Sequence, residues 1–272
     1  MTEPRTFVIG DSHGHLDRLE ALLLQENILV DCGVCDATGD NENLDPCEFC
    51  DGVGVVRNYE DGVRVVHIGD LMHGGYDTSY GDQECYRYAY KFHWIDDLVW
   101  GNHERGLVDE RHAFGGMAKR LAGPTIQLMN AMERDGRTYF ATTAHGFLLT
   151  HAGLGAYWDG HELVMDSPEV AASALNELAN DPDHSYGVIH AVSYRRGGSG
   201  DAGGILWRDD NEPISGKFNQ VYGHTADRDG LHRTHETNGK IAYKIDIGGK
   251  SERRLGGLWL PDQTLVKVEL GL

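Results

Sequence analysis

Five short strings carry the residues that could do chemistry: Gly10-Asp11-Ser12-His13-Gly14, Gly69-Asp70-Leu71-Met72-His73-Gly74-Gly75, Gly101-Asn102-His103-Glu104, Leu148-Leu149-Thr150-His151-Ala152-Gly153-Leu154 and Tyr222-Gly223-His224-Thr225. Asp11 and His13 put a carboxylate and an imidazole in one turn, where glycine lets the backbone bend tightly, so both can face one cation. Asp70 offers a carboxylate whose two oxygens can bridge two ions, and Asn102, His151 and His224 add a carbonyl oxygen and two imidazoles. Taken singly each string is common, and a lone strand-end histidine is more often a structural residue. The ordered set points instead to a dinuclear metal centre. Oxygen and imidazole donors without thiolate suit Mn, Zn or Fe, with Mn our expectation. Two cations lower the pKa of a shared water and clamp phosphate oxygens as charge builds in line, so the expected reaction is hydrolysis of a phosphate ester without a covalent intermediate.

A second constellation is of another kind. Cys32-x-x-Cys35 and Cys47-x-x-Cys50 are two pairs separated by 11 residues, a layout that can supply four thiolates to one tetrahedral zinc ion. Two disulfides or a redox pair are the alternatives, and a reducing compartment favours zinc. Cys85 reads as a buried or free thiol.

These residues need elements to hold them. Residues 5–9 read as a strand running into the first string, and Leu16, Leu19, Leu22 and Leu23 then share one helical face. Residues 63–68 and 98–100 are further strands, each ending on a motif, which matters because ligand sites in α/β folds gather at the carboxyl ends of strands. Residues 31–60, rich in Gly, Asp and Cys, form an insertion within a single domain of 1–272. That insertion could overhang a substrate cleft or only staple a long loop. Ser167 and Pro168 predict a helix over 168–180, as N-cap and first-turn proline. Residues 190–204 read as a mobile glycine-rich loop, and the C-terminal third as short strands around QVYG, AYKIDI, GLWL and TLVKVEL. The segment 231–235 reads as polar loop, and no internal repeat is visible.

Composition narrows the partners. With 40% hydrophobic and 25% charged residues the 272-residue chain looks like an ordinary globular protein, and no apolar run approaches the length that spans a bilayer. The N-terminus lacks the pattern of a secretory signal, so the cytoplasm is the expected location. The net charge of −19 disfavours nucleic acid, although bound cations can invert the field locally and admit a small phosphorylated substrate.

The order GDSHG, GDLMHGG, GNHE, LLTHAGL and YGHT resembles the calcineurin-like metallophosphoesterases, and specifically the phosphoprotein-phosphatase branch with the lambda-type phage phosphatase and the symmetrical diadenosine tetraphosphatases. The segment KIDIGGKSERRLGGLWL is similar to that branch's closing hairpin, and CEFCDGVG resembles the zinc-binding repeat of DnaJ-type chaperones. The resemblance implies an α/β sandwich of two mixed β-sheets flanked by helices, carrying a small zinc knuckle. It implies that Asp11 and His13 hold one metal, that Asp70 bridges, and that Asn102, His151 and His224 hold the other. His103 would be the acid for the leaving group, a step that typically adds roughly 10²–10⁴-fold. Ala226, where many non-protein phosphoesterases carry a second histidine, fits the phosphoprotein-phosphatase branch.

One string departs from the family pattern GDxxDRG. His73 stands at the aspartate that orients the catalytic histidine, and Gly74 at the phosphate-gripping arginine. A neutral imidazole cannot stabilise a protonated His103 as a carboxylate would, so Asp77 or Asp82 is expected to substitute, with His73 left to face substrate. For the missing clamp the available guanidinium groups are Arg105, Arg195, Arg196 and Arg208. Arg208 is the first choice because Trp207-Arg208 resembles the tryptophan and phosphate-binding arginine of lambda-type enzymes. The expected function is hydrolysis of a phosphomonoester, on a phosphoprotein or a nucleotide. The competing readings are a dinucleoside polyphosphate or cyclic nucleotide hydrolase, and a catalytically silent protein that binds partners through its knuckle.

Overall fold

The computed structural model describes residues 3–40, 45–48, 50, 52–59, 62–72, 93–109, 119–160, 167–181, 186–227, 229, 232–248 and 254–270. Among these, the strands are β1 (Thr6–Ile9), β2 (Leu29–Asp31), β3 (Val55–Arg57), β4 (Arg64–His67), β5 (Asp97–Val99), β6 (Thr138–Tyr139), β7 (Ala141–Ala144), β8 (Phe147–Thr150), β9 (Asn219–Tyr222), β10 (Arg233–Thr237), β11 (Lys240–Lys244), β12 (Arg254–Leu260) and β13 (Thr264–Glu269). The helices are α1 (Leu16–Gln25), α2 (Asn102–Val108), α3 (Lys119–Arg134) and α4 (Pro168–Ala179).

Two large mixed sheets result, with strand orders β13-β12-β1-β4-β5-β6 and β10-β11-β9-β8-β7, beside the small hairpin β2-β3. Side-chain alternation along the strands sorts the core. Val8, Val66, Val99 and Leu258 face Ala144, Phe147, Leu149 and Val221 across the two sheets. Their chain neighbours Phe7, Val65 and Leu98 turn the other way, into the core that holds Leu19, Leu22 and Leu23 of α1. Strands buried on both faces read as apolar runs, which is how FLLT reads in the sequence. Helix α4 covers β7 and β8 on the far side, entered through Ser167, whose side chain accepts the Val170 N–H at 3.3 Å. The expected sandwich of two mixed sheets flanked by helices is therefore what the chain forms. No helix among the described residues is long and apolar enough to cross a membrane.

Three expectations need correction. The polar segment 231–235 is not simply loop, because residues 233–237 form β10, an edge strand with exposed side chains that leave no apolar period to read. The stretch 190–204 carries a short helical turn, Tyr194–Arg196, closed by a bridge between Ser193 and Gly200. The third correction concerns the repeat. Cys32 N–H donates to Gly54 O and Cys47 N–H to Gly39 O, while Cys32 O accepts from Ala37 and Cys47 O from Gly52. Cys35 O takes Thr38 N–H and Cys50 O takes Val53 N–H. Each of these backbone bonds has its counterpart 15 positions later, so residues 32–39 and 47–54 are related by a pseudo-twofold. Sequence comparison hid this because only cysteine, aspartate and glycine are shared between CGVCDATG and CEFCDGVG.

The insertion is rooted by β3. Arg57, buried, donates to Trp94 O at 2.6 Å and Val63 O at 2.7 Å, and pairs with Asp96 at 3.1 Å. Those partners precede β4 and β5, so the root lies at the amino ends of strands whose carboxyl ends carry the motifs.

Candidate metal centre

Parallel pairing aligns strand ends. Because β1, β4 and β5 are parallel neighbours in one sheet, and β8 and β9 in the other, five carboxyl ends converge: Asp11 after β1, Asp70 after β4, Asn102 and His103 after β5, His151 after β8 and His224 after β9. Glycine precedes several of these residues for steric reasons. A Cβ on Gly101 would lie 2.2 Å from the Asp70 nitrogen, and one on Gly223 would lie 2.1 Å from Asp11 Oδ1. His13, Asp70 and His224 all hold positive φ, at 48°, 49° and 76°. Side chains rarely take this backbone, and such strain concentrates at functional sites whose surroundings over-determine it.

The tightest convergence is on one side. Asn102 Oδ1 lies 2.8 Å from His151 Nε2 and 3.0 Å from His224 Nδ1, and those two nitrogens are 3.0 Å apart. Asp70 Oδ2 joins them at 3.5 Å from His151 Nε2. His151 Nδ1 donates to Ile68 O at 2.9 Å, which fixes the tautomer and turns the Nε2 lone pair toward the cluster, as a ligating histidine requires. Burial holds His151 at about 3 and His224 well below the ordinary imidazole value, so both rings are neutral donors. On the other side His13, Asp70 and His103 bring three donor atoms together. The His103 amide donates to Asp70 Oδ1 at 3.1 Å, its Nε2 is 3.7 Å from Asp70 Oδ2, and its ring stands edge-on to His13 at 5.4 Å.

Asp11 lies beside these groups rather than within either. Its Oδ2 accepts the His224 N–H at 2.9 Å, while Oδ1 is buried with no hydrogen-bond partner. Burial first, then the carboxylates of Asp246 and Asp70, push its pKa well above the usual range. A cation would relieve this concentration of buried negative charge, and the converging neutral imidazoles and carboxylate oxygens suit one. The residues therefore fit divalent ions.

Two residues given no role at the centre by the sequence stand against its ligands. Glu104 is buried, and its carboxylate accepts Asp70 N–H at 3.0 Å and Met72 N–H at 2.9 Å. Trp207 stands edge-on to His224 at 5.9 Å. The GNHE string carried Glu104 in plain sight, but its contact is with a backbone 34 positions away that only the fold supplies.

No protein-family model matches the sequence, and no curated protein matches it. Solved structures do. A protein serine/threonine phosphatase from Saccharomyces cerevisiae, with similarity to human phosphatase PP5, aligns with a TM-score of 0.54 at 12% identity over 99% of this chain and 81% of that one. The chain shares its fold with that phosphatase. A protein assigned as a diadenosine tetraphosphatase aligns over 98% of this chain and 94% of its own at 18% identity and a TM-score of 0.49. A metallophosphoesterase from Sphaerobacter thermophilus aligns over 99% and 90% at 13% identity and a TM-score of 0.43.

The candidate arginines separate by what they touch. Arg208, the first choice for a phosphate clamp, is buried: its guanidinium donates from Nε to Ala152 O at 2.8 Å and from Nη1 to Glu212 O at 2.6 Å and Asp209 O at 3.1 Å, and stacks on Tyr222 at 4.7 Å. Arg105 is likewise committed elsewhere, paired with Asp109 at 2.7 Å and packed over Trp100 and Phe140. Arg195 lies over the exposed Tyr194 ring. Arg196 bonds the Thr225 hydroxyl, next to His224, and Asp209 at 3.0 Å, and its charge depresses both His151 and His224. His73, Asp77, Asp82 and Cys85 lie outside the described residues.

The four sulfurs of Cys32, Cys35, Cys47 and Cys50 also converge, each buried and none in a disulfide, with Cys35 and Cys50 3.7 Å apart. Gly54 N–H points at Cys50 Sγ at 3.2 Å, and Gly39 N–H at Cys35, the symmetry-related bond. Burial, then the neighbouring thiols, push Cys35 up to about 12. Such thiols give up their protons only in exchange for a cation.

Proposed function

We propose that the chain is a metal-dependent phosphoesterase acting on a phosphomonoester, of a phosphoprotein or a nucleotide, with two divalent ions in the centre. The observation that carries this reading is the meeting of Asn102 Oδ1, His151 Nε2 and His224 Nδ1 within 3.0 Å of one another beside the Asp70 carboxylate. Asn102, His151 and His224 would hold one ion, Asp11 and His13 the other, and Asp70 both. Manganese suits this donor set, with zinc or iron as substitutes. When bound, the two ions supply an activated water and charge neutralisation for phosphate oxygens. The chain's own residues do the rest. Ile68 O fixes the His151 tautomer, Glu104 holds the loop that carries Asp70, and Arg196 gives a guanidinium at the rim near Thr225 for the phosphate. His103, beside Asp70, donates the proton to the departing alkoxide. We read residues 31–60 as a zinc knuckle inserted in one domain, its thiols suited to a reducing, cytoplasmic setting.

A silent interaction protein would not need buried, strained, tautomer-fixed ligands on five strands. The test is turnover of p-nitrophenyl phosphate, bis-p-nitrophenyl phosphate and a panel of nucleotides and dinucleoside polyphosphates with Mn. Metal-dependent release of phosphate from monoesters is expected. Activity confined to diesters or dinucleoside polyphosphates would change the substrate class, and no turnover with any of them would overturn the reading.

A further inference from the structure

We propose that Ser12 and His67 are positioning residues that hold the loop after β4, and through it the Asp70 carboxylate, where it can serve two ions. This rests on the dinuclear reading of the same centre. The pair is fully buried, and neither residue is a candidate ligand. Ser12 Oγ donates to Leu71 O at 3.1 Å, so its one proton is used there and its contact with His67 Nε2 at 3.0 Å is made as an acceptor. His67 therefore carries its proton on Nε2, the opposite tautomer to His151. Burial, then His151, holds His67 at about 3, so the ring is neutral and the donor permanent.

The loop needs this support. Asp70 sits at a φ of 49°, and its two sides are held by different elements. Glu104 takes the amides of Asp70 and Met72, while the first ligand loop takes the carbonyls: His13 N–H donates to Asp70 O at 2.8 Å and Gly14 N–H to Leu71 O at 2.8 Å. Ser12 adds the second donor on Leu71 O, and His67, from the strand that leads into the loop, orients Ser12. The chain His67–Ser12–Leu71 thus locks the Asp11–His13 loop against the Asp70 loop. Removing it frees Asp70 to leave the left-handed region it would not otherwise keep.

The test compares Mn binding, by calorimetry and Mn EPR, in the wild type, Ser12→Ala, His67→Leu, the double variant and His67→Gln. Loss of such outer contacts should weaken Mn binding about ten- to a hundredfold and shift the metal requirement of turnover equally, with KM for p-nitrophenyl phosphate at saturating Mn little changed. The double variant should be no worse than the poorer single, because both break one chain. His67→Gln, which keeps an N–H near the Nε2 position, should recover most of the affinity, and ¹⁵N shifts should show the Nε2–H tautomer of His67. Folded Ser12→Ala that binds Mn like the wild type, with only its unfolding temperature lowered, would overturn the proposal and leave the pair a core brace. If His67→Leu does not fold, Ser12→Ala and His67→Gln decide alone. A wild type that takes no Mn would instead overturn the dinuclear reading itself, and this proposal with it.

Discussion

Among the described residues, side chains able to hold metal ions gather in two places, by opposite means. The histidine and carboxylate centre draws on Asp11, His13, Asp70, Asn102, His151 and His224, which span 213 positions and stand on five strands of two sheets. The cysteine cluster draws on residues 32–50 and repeats one eight-residue hydrogen-bond pattern twice. In the first, positions are set by cores that exist without any ion, and buried partners such as Ile68 O and Glu104 aim the donors. In the second, the cysteines are themselves the buried core, with Val56 the hydrophobic residue packed against them. A preformed site can hold an open, reactive position, whereas a site whose ligands are its core has order only with its ion.

The sharpest way to break that contrast is Asp70→Asn. A preformed centre should keep its fold, seen as an unchanged circular dichroism spectrum, while turnover falls by more than about a hundredfold, the upper end of what outer-shell changes cost. Unfolding of this variant would mean that the centre, too, depends on its ions. Cys47→Ser with Cys50→Ser should do the reverse. Residues 31–60 should lose protection from proteolysis and the protein one bound zinc, while p-nitrophenyl phosphate turnover stays within about threefold, since the insertion is rooted at the strand ends away from the centre.

Intermediate effects sharpen the chemistry. His103→Ala should cost about a hundredfold with an alkyl or sugar phosphate and far less with p-nitrophenyl phosphate, whose leaving group is stable unprotonated. Equal losses on both substrates would assign His103 to phosphate charge or metal rather than to the proton. Zinc uptake by the knuckle should release protons and tighten as pH rises from 6 to 8, because Cys35 is held at about 12 without a cation and the thiolate form gains with each step in pH. Affinity flat with pH would mean that the thiols were already ionised. Smallest of all, Ser167→Ala, which removes the side-chain cap of α4, should cost about 1 kcal/mol or less in urea unfolding and leave both candidate metal sites alone.

What the sequence made legible follows from the same contrast. Motif strings at strand ends picked out the residues that converge, because a GD or GNH string records a local constraint, glycine beside a residue that must approach another backbone. Central strands such as β1 and β8 were legible because they are buried on both faces, whereas their assembly into a sandwich was what the family resemblance implied. Glu104, Ser12 and His67 were not assigned roles, since their partners lie 32 to 59 positions away and no short pattern encodes such contacts. The setting of Arg208 was hidden for a related reason, because its guanidinium meets the carbonyls of Ala152, Asp209 and Glu212, which only the fold brings together.

On this reading one chain holds both a preformed two-metal centre and a thiolate site of different chemistry. Crystals grown with Mn and Zn, with anomalous diffraction collected at both absorption edges, test it directly. The expected maps show two peaks about 3.5–4 Å apart flanking Asp70, with Asn102, His151 and His224 on one and Asp11 and His13 on the other. A separate zinc peak should sit among Cys32, Cys35, Cys47 and Cys50 at sulfur distances near ~2.3 Å. Disulfides in place of the zinc, or a single ion that leaves Asp70 uncoordinated, would contradict it.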